Sequence, residues 1–443
     1  MHSAKANAGT KSRGNISAVE PRFGAMKLAA AAIHCALALA VLSAVLLITA
    51  HTAQAQTETA IFSFCSYPES PVTGCTDGEG SVSSLTFDRA GNLYGTSRNG
   101  GLLGAGTVFE LSPNGSGGWY ETVLYNFTGS QDGGTPYSNV VFDSLGNLYG
   151  TTENGGNNTC SGYPGCGVVY ELSPNGTNWT ETVLYSFTGG TDGSLPFAGL
   201  IFDAKGNLFG TTAYENGTVF ELSPSGGGWT EKTIYQSASG YAGLTMDAAG
   251  NLYGVGQSTV FELSPNGSGG WNPTVIYTFA NARDDGSQPQ GTLVFGKAGN
   301  LFGTTLYGGA RLHYGTVYEL SPGQSGWTEK ILYSFRDNGI QGYYPVAGVV
   351  LDAAGNIYGT TSAGGVPLNG ATPGTVFEIV APVGKGRQYK EKVLWSFTGY
   401  DGFDPWASMV LDSAGNLYGT TVEGGYWYGS SGNCCGTVFK VTP

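Results

Sequence analysis

The sequence predicts an all-β fold: a seven-bladed β-propeller of four-stranded antiparallel blades, closed by the N-terminal strand completing the last blade. Three observations predict it. A motif recurs seven times, each copy holds four strand-like runs, and the two ends of the chain carry complementary incomplete copies. Repeats with periods of roughly 20–50 residues build solenoids, propellers or arrays, and the chain ends decide among them.

The recurring motif has the form D-x-x-G-N-L-Y-G-T-T, as at 143–152 and 412–421. Its successive copies are 44 to 60 residues apart. The asparagines that anchor the seven copies are Asn92, Asn147, Asn207, Asn251, Asn300, Asn356 and Asn416. The chain has 74 glycines, and its aromatic and β-branched residues recur at fixed positions, so the glycines are interpreted as turn residues of an all-β protein.

Each copy contains four runs, here named strands a to d. Strand a resembles VVFD, strand b NLYGTT, strand c GTVFELSP and strand d WTETVLYSF. Asp, Asn and Gly between strands a and b bond local backbone or supply positive φ, so they indicate a tight turn. Four strands joined in this way predict one antiparallel blade.

The ends of the chain favour a closed ring. The last copy stops after strand c at 436–443, whereas 57–64 match strand d with no other strand before them. We therefore expect 57–64 to pair beside 437–442. The residue five positions before the turn aspartate is small in every copy, which predicts that strand a is innermost. These residues are Ser83, Ser138, Ala198, Ala242, Gly291, Ala347 and Ala407.

Residues 1–55 differ from the repeats and are predicted to be a signal peptide or N-terminal anchor. A basic start precedes an uncharged stretch from Leu28 to Ala50, and Ala53-Gln54-Ala55 fits a small-x-small cleavage site. Cleavage would leave 56–443 as a single propeller domain, secreted or held in the cell envelope, periplasmic or extracellular. An uncleaved membrane anchor is the alternative, and Met26 is an alternative start.

Charge and histidine content narrow the function. Residues 1–55 hold five basic residues and one acid, so 56–443 carry 14 Lys and Arg against 31 Asp and Glu, a net charge of −17. This excess argues against nucleic acid and anionic membranes as partners. His313 is the one histidine after residue 55, so a site built from several histidines is excluded. Whether the chain is an enzyme stays open, and we lean against it.

The remaining cysteines are even in number, which favours disulfides in an exported chain. Cys65 and Cys75, and Cys160 and Cys166, are close enough in sequence for each pair to link one loop. Cys434 and Cys435 are adjacent, so they form a vicinal disulfide, pair elsewhere or stay reduced.

These motifs carry a family resemblance. The copies of D-x-x-G-N-L-Y-G-T-T, G-T-V-F-E-L-S-P and E-T-V-L-Y-S-F-T-G resemble the GloVer repeat. The chain is similar to choice-of-anchor tandem-repeat GloVer-containing proteins over nearly all of 57–443. The resemblance implies an exported bacterial repeat protein and no particular catalytic residue. The chain ends with strand c, so we expect any anchor to be N-terminal.

Strand direction sorts the loops onto two faces. The a–b and c–d turns form the uniform face, and the longer b–c and d–a loops form the variable face, where we expect binding. Six residues before the turn aspartate stand Val82, Tyr137, Phe197, Tyr241, Gln290, Val346 and Trp406, which would ring the mouth of the central channel. Further binding candidates on this face are Tyr307, His313, Tyr314, Tyr344 and Trp427.

Acidic residues recur in the d–a loops and allow two interpretations. Asp77, Asp132, Asp192, Asp285 and Asp401 each precede a glycine. They are ordinary turn residues or, more weakly supported, Ca²⁺ ligands; no other cofactor and no metal site is expected.

Three functions are weighed. The first is a monomeric, non-catalytic binding or scaffold propeller that recognises glycan or protein. The second is a carbohydrate-active enzyme using carboxylates such as Asp401 and Asp404 beside Trp406. The third is a structural envelope protein held in the membrane by an uncleaved N-terminal segment.

Overall fold

A computed structural model describes residues 56–443 except 66–74, 161, 215–216, 237, 239–240, 281–283, 311–313, 368–369, 371, 383, 385–387 and 426–434. The described residues form seven small antiparallel sheets arranged as a seven-bladed β-propeller. None of the described segments is a helix with the length and hydrophobicity that a membrane span requires. The predicted fold class is therefore confirmed.

The blades are numbered in chain order, and each contains strands a to d. Strands a are Thr86–Phe87, Val141–Phe142, Ile201–Phe202, Thr245–Met246, Val294–Phe295, Val350–Leu351 and Val410–Leu411. Strands b are Leu93–Ser97, Leu148–Thr152, Leu208–Thr212, Leu252–Val255, Leu301–Gly308, Ile357–Thr361 and Leu417–Thr421. Strands c are Thr107–Pro113, Val168–Asn175, Thr218–Ser225, Thr259–Pro265, Thr316–Gly323, Thr375–Val380 and Thr437–Thr442. Strands d of blades 1 to 6 are Trp119–Asn126, Asn178–Ser186, Gly228–Gln236, Trp271–Thr278, Gly326–Ser334 and Lys390–Ser396, and strand d of blade 7 is Thr57–Ser63.

Blade 7 closes the ring as the sequence predicts. Its strand order places Thr57–Ser63 against Thr437–Thr442, antiparallel, with Thr57 opposite Thr442 and Ser63 opposite Thr437. The strand from the N-terminal end thus supplies the outer edge that the last copy lacks.

Two short strand pairs on the variable face were not predicted. Gly286–Pro289 pairs with the end of Leu301–Gly308, and Gly342–Tyr343 pairs with Ala363–Gly364. In both cases a d–a loop runs beside the end of strand b in the same blade. These pairs fix the loop backbone at blades 5 and 6.

A glycine facing an aromatic ring repeats inside every blade. The glycine of strand b lies opposite Phe or Tyr of strand c, and a Cβ atom added to it would lie 2.4–2.6 Å from the ring or its hydroxyl. The seven pairs are Gly95 with Phe109, Gly150 with Tyr170, Gly210 with Phe220, Gly254 with Phe261, Gly303 with Tyr318, Gly359 with Phe377 and Gly419 with Phe439. The G of L-Y-G-T-T is therefore required by the aromatic residue of the next strand.

The hydrophobic core is divided among the seven seams between blades. Each buried cluster combines strands b and c of one blade with residues of its neighbour. At the closing seam, Phe64 and Val438 of blade 7 pack with Leu85 and Phe109 of blade 1. The aromatic ring at the start of strand d also reaches across, as Trp119 does toward Tyr418 at 6.2 Å between centroids.

A threonine hydroxyl links neighbouring blades near the axis. The first Thr of G-T-T in strand b donates to the carbonyl of the small residue before strand a of the next blade, over 2.7–3.4 Å. The six bonds run from Thr96 to Ser138, Thr151 to Ala198, Thr211 to Ala242, Thr304 to Ala347, Thr360 to Ala407 and Thr420 to Ser83. In blade 4 Val255 occupies this position.

The inner strands are shorter than the four-residue runs predicted from sequence, because only two residues of each pair in the sheet. The preceding residues turn toward the axis, where their carbonyls accept the threonine bonds of the previous blade. Crowding there is severe: a Cβ atom on Gly291 would lie 2.4 Å from the backbone nitrogen of Gly348 in the next blade. This crowding explains the small residues that predicted strand a to be innermost.

Carboxyl groups meet at the outer part of the seams. A glutamate of strand d faces the Asp-Gly loop that precedes its blade. Burial, followed by the charge of the facing aspartate, raises the pKa of Glu58 and Glu121 to about 8, and the pKa of Glu181 and Glu329 to about 7. The facing aspartates, in the same order, are Asp401, Asp77, Asp132 and Asp285.

The first prediction concerns ring closure. Thr420→Val removes the hydroxyl that donates to Ser83 across the closing seam at 2.9 Å and leaves a buried carbonyl without this donor. We expect the free energy of unfolding, measured by urea denaturation, to fall by about 1–2 kcal/mol. Thr59→Val on the exposed side of strand d of blade 7 is the control, with an expected change within about 0.5 kcal/mol. Equal stability of the two variants would contradict the role given to this bond.

The second prediction concerns the outer seams. Because the pKa of Glu121 in the folded state is raised from 4.5 to about 8, its stabilising contribution is complete below pH 4.5 and is lost as pH rises through 8. Glu121→Gln should therefore match the wild type near pH 5 and exceed its unfolding free energy by about 1–2 kcal/mol near pH 9.

Glu391→Gln is the matched comparison, because Gln341 stands where five other seams have aspartate and donates to Glu391. Its gain at high pH should be smaller than that of Glu121→Gln. Urea denaturation at several pH values measures both, and a pH-independent effect of Glu121→Gln would refute the argument.

Candidate functional site

The mouth of the central channel gathers one side chain from each blade. Seven residues line a single cavity together with the small residues that follow them toward strand a. They are Val82, Tyr137, Phe197, Tyr241, Gln290, Val346 and Trp406. These residues lie on the d–a loops, so the sequence-predicted ring is formed on the variable face.

Three of these residues form a continuous aromatic surface over blades 2 to 4. The Tyr137 and Phe197 rings meet edge to face with centroids 4.8 Å apart, and Phe197 and Tyr241 stack at 5.2 Å with 22° between planes. Tyr241 is 63% exposed and Trp406, across the ring, is 47% exposed. The mouth therefore presents accessible ring faces on two sides.

Arg98, on the b–c loop of blade 1, joins this surface. Its Nη1 atom donates to the Tyr137 hydroxyl at 3.2 Å, and its guanidinium carbon lies 5.9 Å from the centre of the Tyr137 ring. Burial raises the pKa values of Glu153 and Asp404, and the positive charge of Arg98 acts on both carboxyls in the opposite direction. Arg98 was not among the sequence candidates, because a single arginine in a variable loop has no repeat pattern.

Asp404 is held beside Trp406 in a left-handed backbone conformation. Its φ is 57°, and its Oδ1 atom accepts a hydrogen bond from Trp406 Nε1 at 2.7 Å. Burial is the largest effect on this carboxyl, and the nearby charge of Glu423 acts in the same direction, so the pKa of Asp404 rises to about 6. This arrangement orients the Trp406 ring at the mouth.

One residue in each of five d–a loops has a left-handed backbone conformation. It lies two positions after the glycine of an Asp-Gly or Gln-Gly pair and directly before a proline. The residues are Thr135, Leu195, Gln288, Tyr344 and Asp404, with φ from 54° to 61°. Non-glycine residues adopt this conformation at an energetic cost, most of all when they are bulky. The loops therefore hold five different side chains in one backbone geometry, which is typical of a scaffold that varies its surface.

Four tyrosines form a second aromatic group at blades 5 and 6. Tyr344 lies 5.4 Å from Tyr307, 5.9 Å from Tyr314 and 4.9 Å from Tyr343, measured between ring centroids. Three of them were predicted. Tyr343 was missed because its position in the loop carries no repeated aromatic residue.

Exposed apolar side chains concentrate on the variable face. Of the 13 large hydrophobic residues that are exposed in the described part of the chain, ten lie at this end of the blades. They are Leu102, Leu103, Tyr163, Tyr214, Tyr241, Tyr307, Ile340, Val366, Tyr400 and Trp406. Tyr163 and Tyr214, from the b–c loops of blades 2 and 3, also meet at 6.0 Å and extend the aromatic surface outward.

The loop aspartates hold their own turns. Asp192 accepts hydrogen bonds from the Thr188 backbone nitrogen at 2.7 Å and from the Tyr185 hydroxyl at 2.9 Å. Asp401 accepts from Trp395 Nε1 at 2.8 Å and from the Thr398 backbone nitrogen at 2.7 Å. These are the hydrogen bonds that an aspartate makes in an Asp-Gly turn. They also fix Asp401 in its turn, away from the role that was weighed for it beside Asp404.

Two of the predicted disulfides are present. Cys65 is bonded to Cys75 and Cys160 to Cys166, with Cα atoms 4.7 and 5.1 Å apart. The Sγ atom of Cys435 lies within 4.8 Å of those of Cys65 and Cys75. Three predicted residues, His313, Trp427 and Cys434, lie outside the described residues.

Comparison with protein families finds one model that covers the repeats. The model of the Gloeobacter/Verrucomicrobia repeat matches residues 81–258 and 255–443. A comparison with curated protein sequences finds no match to the chain.

Solved structures share the fold at low sequence identity. A streptogramin B lyase is 15% identical, with a TM-score of 0.54 over 87% of this chain and 97% of the lyase. A catalytically inactive virginiamycin B lyase from Staphylococcus aureus with quinupristin is 13% identical, with a TM-score of 0.53 over 88% and 99%. A protein from Lactobacillus plantarum is 14% identical, with a TM-score of 0.50 over 74% and 88%.

Proposed function

The chain belongs to the Gloeobacter/Verrucomicrobia repeat family, and on that premise we propose that it is an exported, non-catalytic binding propeller that recognises glycan on its variable face. The observation that carries the proposal is the channel mouth, where accessible rings of Tyr241 and Trp406 stand beside fixed polar groups.

The chemistry of the mouth favours a sugar. Sugar rings present C–H faces that pack on aromatic rings and hydroxyls that need directed partners. Trp406 and the stacked pair of Phe197 and Tyr241 supply the rings. Arg98 and Asp404 supply a donor and an acceptor, each oriented by a hydrogen bond to an aromatic residue of the mouth.

A second candidate is a carbohydrate-active enzyme that uses the same place. One observation favours it: burial raises the pKa of Asp404 to about 6, close to the range a general acid needs, with the charge of Glu423 nearby. Asp401 takes no part in this version, because its turn uses the carboxylate. The streptogramin and virginiamycin B lyases share only the fold with this chain, so their activity is not carried over.

Export is part of the proposal. Disulfides persist in oxidising compartments outside the cytoplasm, and the described part of the chain contains two. The basic start, the apolar stretch and the Ala53-Gln54-Ala55 site make residues 1–55 a cleaved signal peptide in this proposal.

The third prediction tests recognition at the mouth. Residues 56–443 are screened on a glycan array, and the strongest hit is titrated by calorimetry. Trp406→Ala removes an exposed ring at the mouth and should weaken binding at least about tenfold, the loss of an aromatic anchor. Tyr120→Ala, which removes a ring that is 67% exposed on strand d of blade 1, should leave affinity unchanged.

Two results would overturn the glycan proposal: a folded protein that binds no glycan on the array, or a titration in which Trp406→Ala changes neither the affinity nor the number of bound glycans. The bound glycan is also incubated with the protein and analysed for new reducing ends. Cleavage that Asp404→Asn abolishes would establish the enzyme instead.

The fourth prediction concerns the N-terminus. Mass spectrometry of the protein recovered from its natural cells should give a mature chain beginning at Gln56, because the cleavage pattern ends at Ala55. A mature chain that retains the apolar stretch from Leu28 to Ala50 would show an anchor instead of a signal peptide.

A further inference from the structure

Three departures from the repeat coincide at two seams of the uniform face. Strand b has tyrosine before its glycine in five copies, but Phe209 and Phe302 replace the tyrosine in blades 3 and 5. Those two copies are also the ones with lysine in the a–b turn, Lys205 and Lys297. The blades that follow, 4 and 6, are the two whose a–b turn reads D-A-A-G-N.

The five tyrosines show what the two phenylalanines omit. In those blades the tyrosine hydroxyl donates to the aspartate of its own a–b turn over 3.1–3.5 Å. Phe209 and Phe302 lack this hydroxyl. The a–b turn that faces each of them from the next blade carries two alanines, whose side chains are short.

A cavity of about 470 Å³ lies at the seam of blades 3 and 4. Phe209 forms its floor, and the Trp271 ring forms one wall, with centroids 5.6 Å apart and planes at 81°. Trp271 Nε1 donates to Glu221 Oε2 at 3.3 Å, which fixes the ring. Lys205 and Ala249 line the rim.

A second cavity of about 630 Å³ lies at the seam of blades 5 and 6, with the same parts. Phe302 is the floor and Tyr389 the aromatic wall. Lys297 Nζ reaches across to the carbonyl oxygen of Ala353 at 2.6 Å, and the Asn300 amide donates to Glu319. The two cavities are therefore built alike, two blades apart.

The lining chemistry selects the ligand class. Both volumes are in the range of small-molecule sites. Each cavity combines an aromatic wall with carboxylate, amide and ammonium groups, such as Glu221, Asn207 and Lys205 in the first. The lysine disfavours an organic cation, and the carboxylates disfavour an anion. The hydroxyls of a neutral polyhydroxylated ring can donate to the carboxylates and accept from the lysine, while the ring itself packs on the aromatic wall.

We propose that these two seams are a pair of equivalent binding sites for neutral saccharide units, on the face opposite the channel mouth. Two sites on one rigid ring bind a polymer through two of its units at once, which raises avidity without new contacts. The channel mouth and the seam sites act independently, because they lie at opposite ends of the blades.

The fifth prediction uses a blocking substitution that the repeat itself supplies. Leucine occupies the third turn position in blade 2, as Leu145, so Ala249→Leu and Ala354→Leu keep a side chain that this turn accepts. The probes are glucose, galactose, mannose and N-acetylglucosamine, followed by saturation-transfer NMR and calorimetry. In the Trp406→Ala background, which removes the mouth site, we expect two equivalent sites before these substitutions, one in each single variant, and at least about tenfold weaker binding in the double variant.

Ala414→Leu, the same change in blade 7, is the control and should retain both sites. Phe209→Tyr restores the hydroxyl of the other copies and should also remove one site. Trp406→Ala should leave the seam sites intact, so failure at the mouth and failure at the seams are distinguishable. A folded wild type that binds none of the four sugars, binding that survives the double variant, or tetramethylammonium binding at these seams would overturn the proposal.

Discussion

The structure depends on the close approach of seven inner strands around one axis. At the axis the residues before strand a are small, and at Gly291 even a Cβ atom would lie 2.4 Å from the backbone nitrogen of Gly348 in the next blade. The carbonyls exposed by this approach leave the sheet ladder and need donors. The threonine of strand b supplies one donor from the preceding blade, most notably Thr420 to Ser83 across the closing seam. Closure therefore uses the same bond as five of the other six seams, together with the N-terminal strand Thr57–Ser63.

The two faces follow from how each turn is stabilised. On the uniform face, one aspartate satisfies the whole a–b turn: Asp143 accepts from the backbone nitrogens of Leu145 and Asn147 and from the Asn147 amide. Such a turn tolerates little change in length. On the variable face, the loop aspartate hydrogen-bonds to residues at the end of strand d. The rest of the loop can therefore differ in sequence and length between blades. The left-handed residues, such as Tyr344 and Asp404, project different side chains from that common frame.

The repeat made the fold predictable from sequence, because a strand pattern that recurs in seven copies is clear even where a single segment is ambiguous. Spacing in the sequence predicted the blade count, the closing strand and two disulfides. The small residues before strand a predicted its inner position. The length of strand a was not predicted, since its residues leave the sheet for contacts that only the closed ring creates. At the site, the ring of mouth residues was predictable from register. Arg98 and Tyr343 were not, because each occurs once and its neighbours come from other blades.

In a repeat protein, a residue used once per blade belongs to the architecture, and chemistry has to be sought where a copy departs from its siblings. Val255 in place of threonine is such a departure, and it only removes a bond between blades. The departures at blades 3 and 5 are different, because Phe, Lys and the facing Ala-Ala pair change together and open space lined by polar groups. The phenylalanine and the lysine recur together two blades away. The pairing of these changes is therefore the strongest indication that the uniform face, too, has been adapted to a ligand.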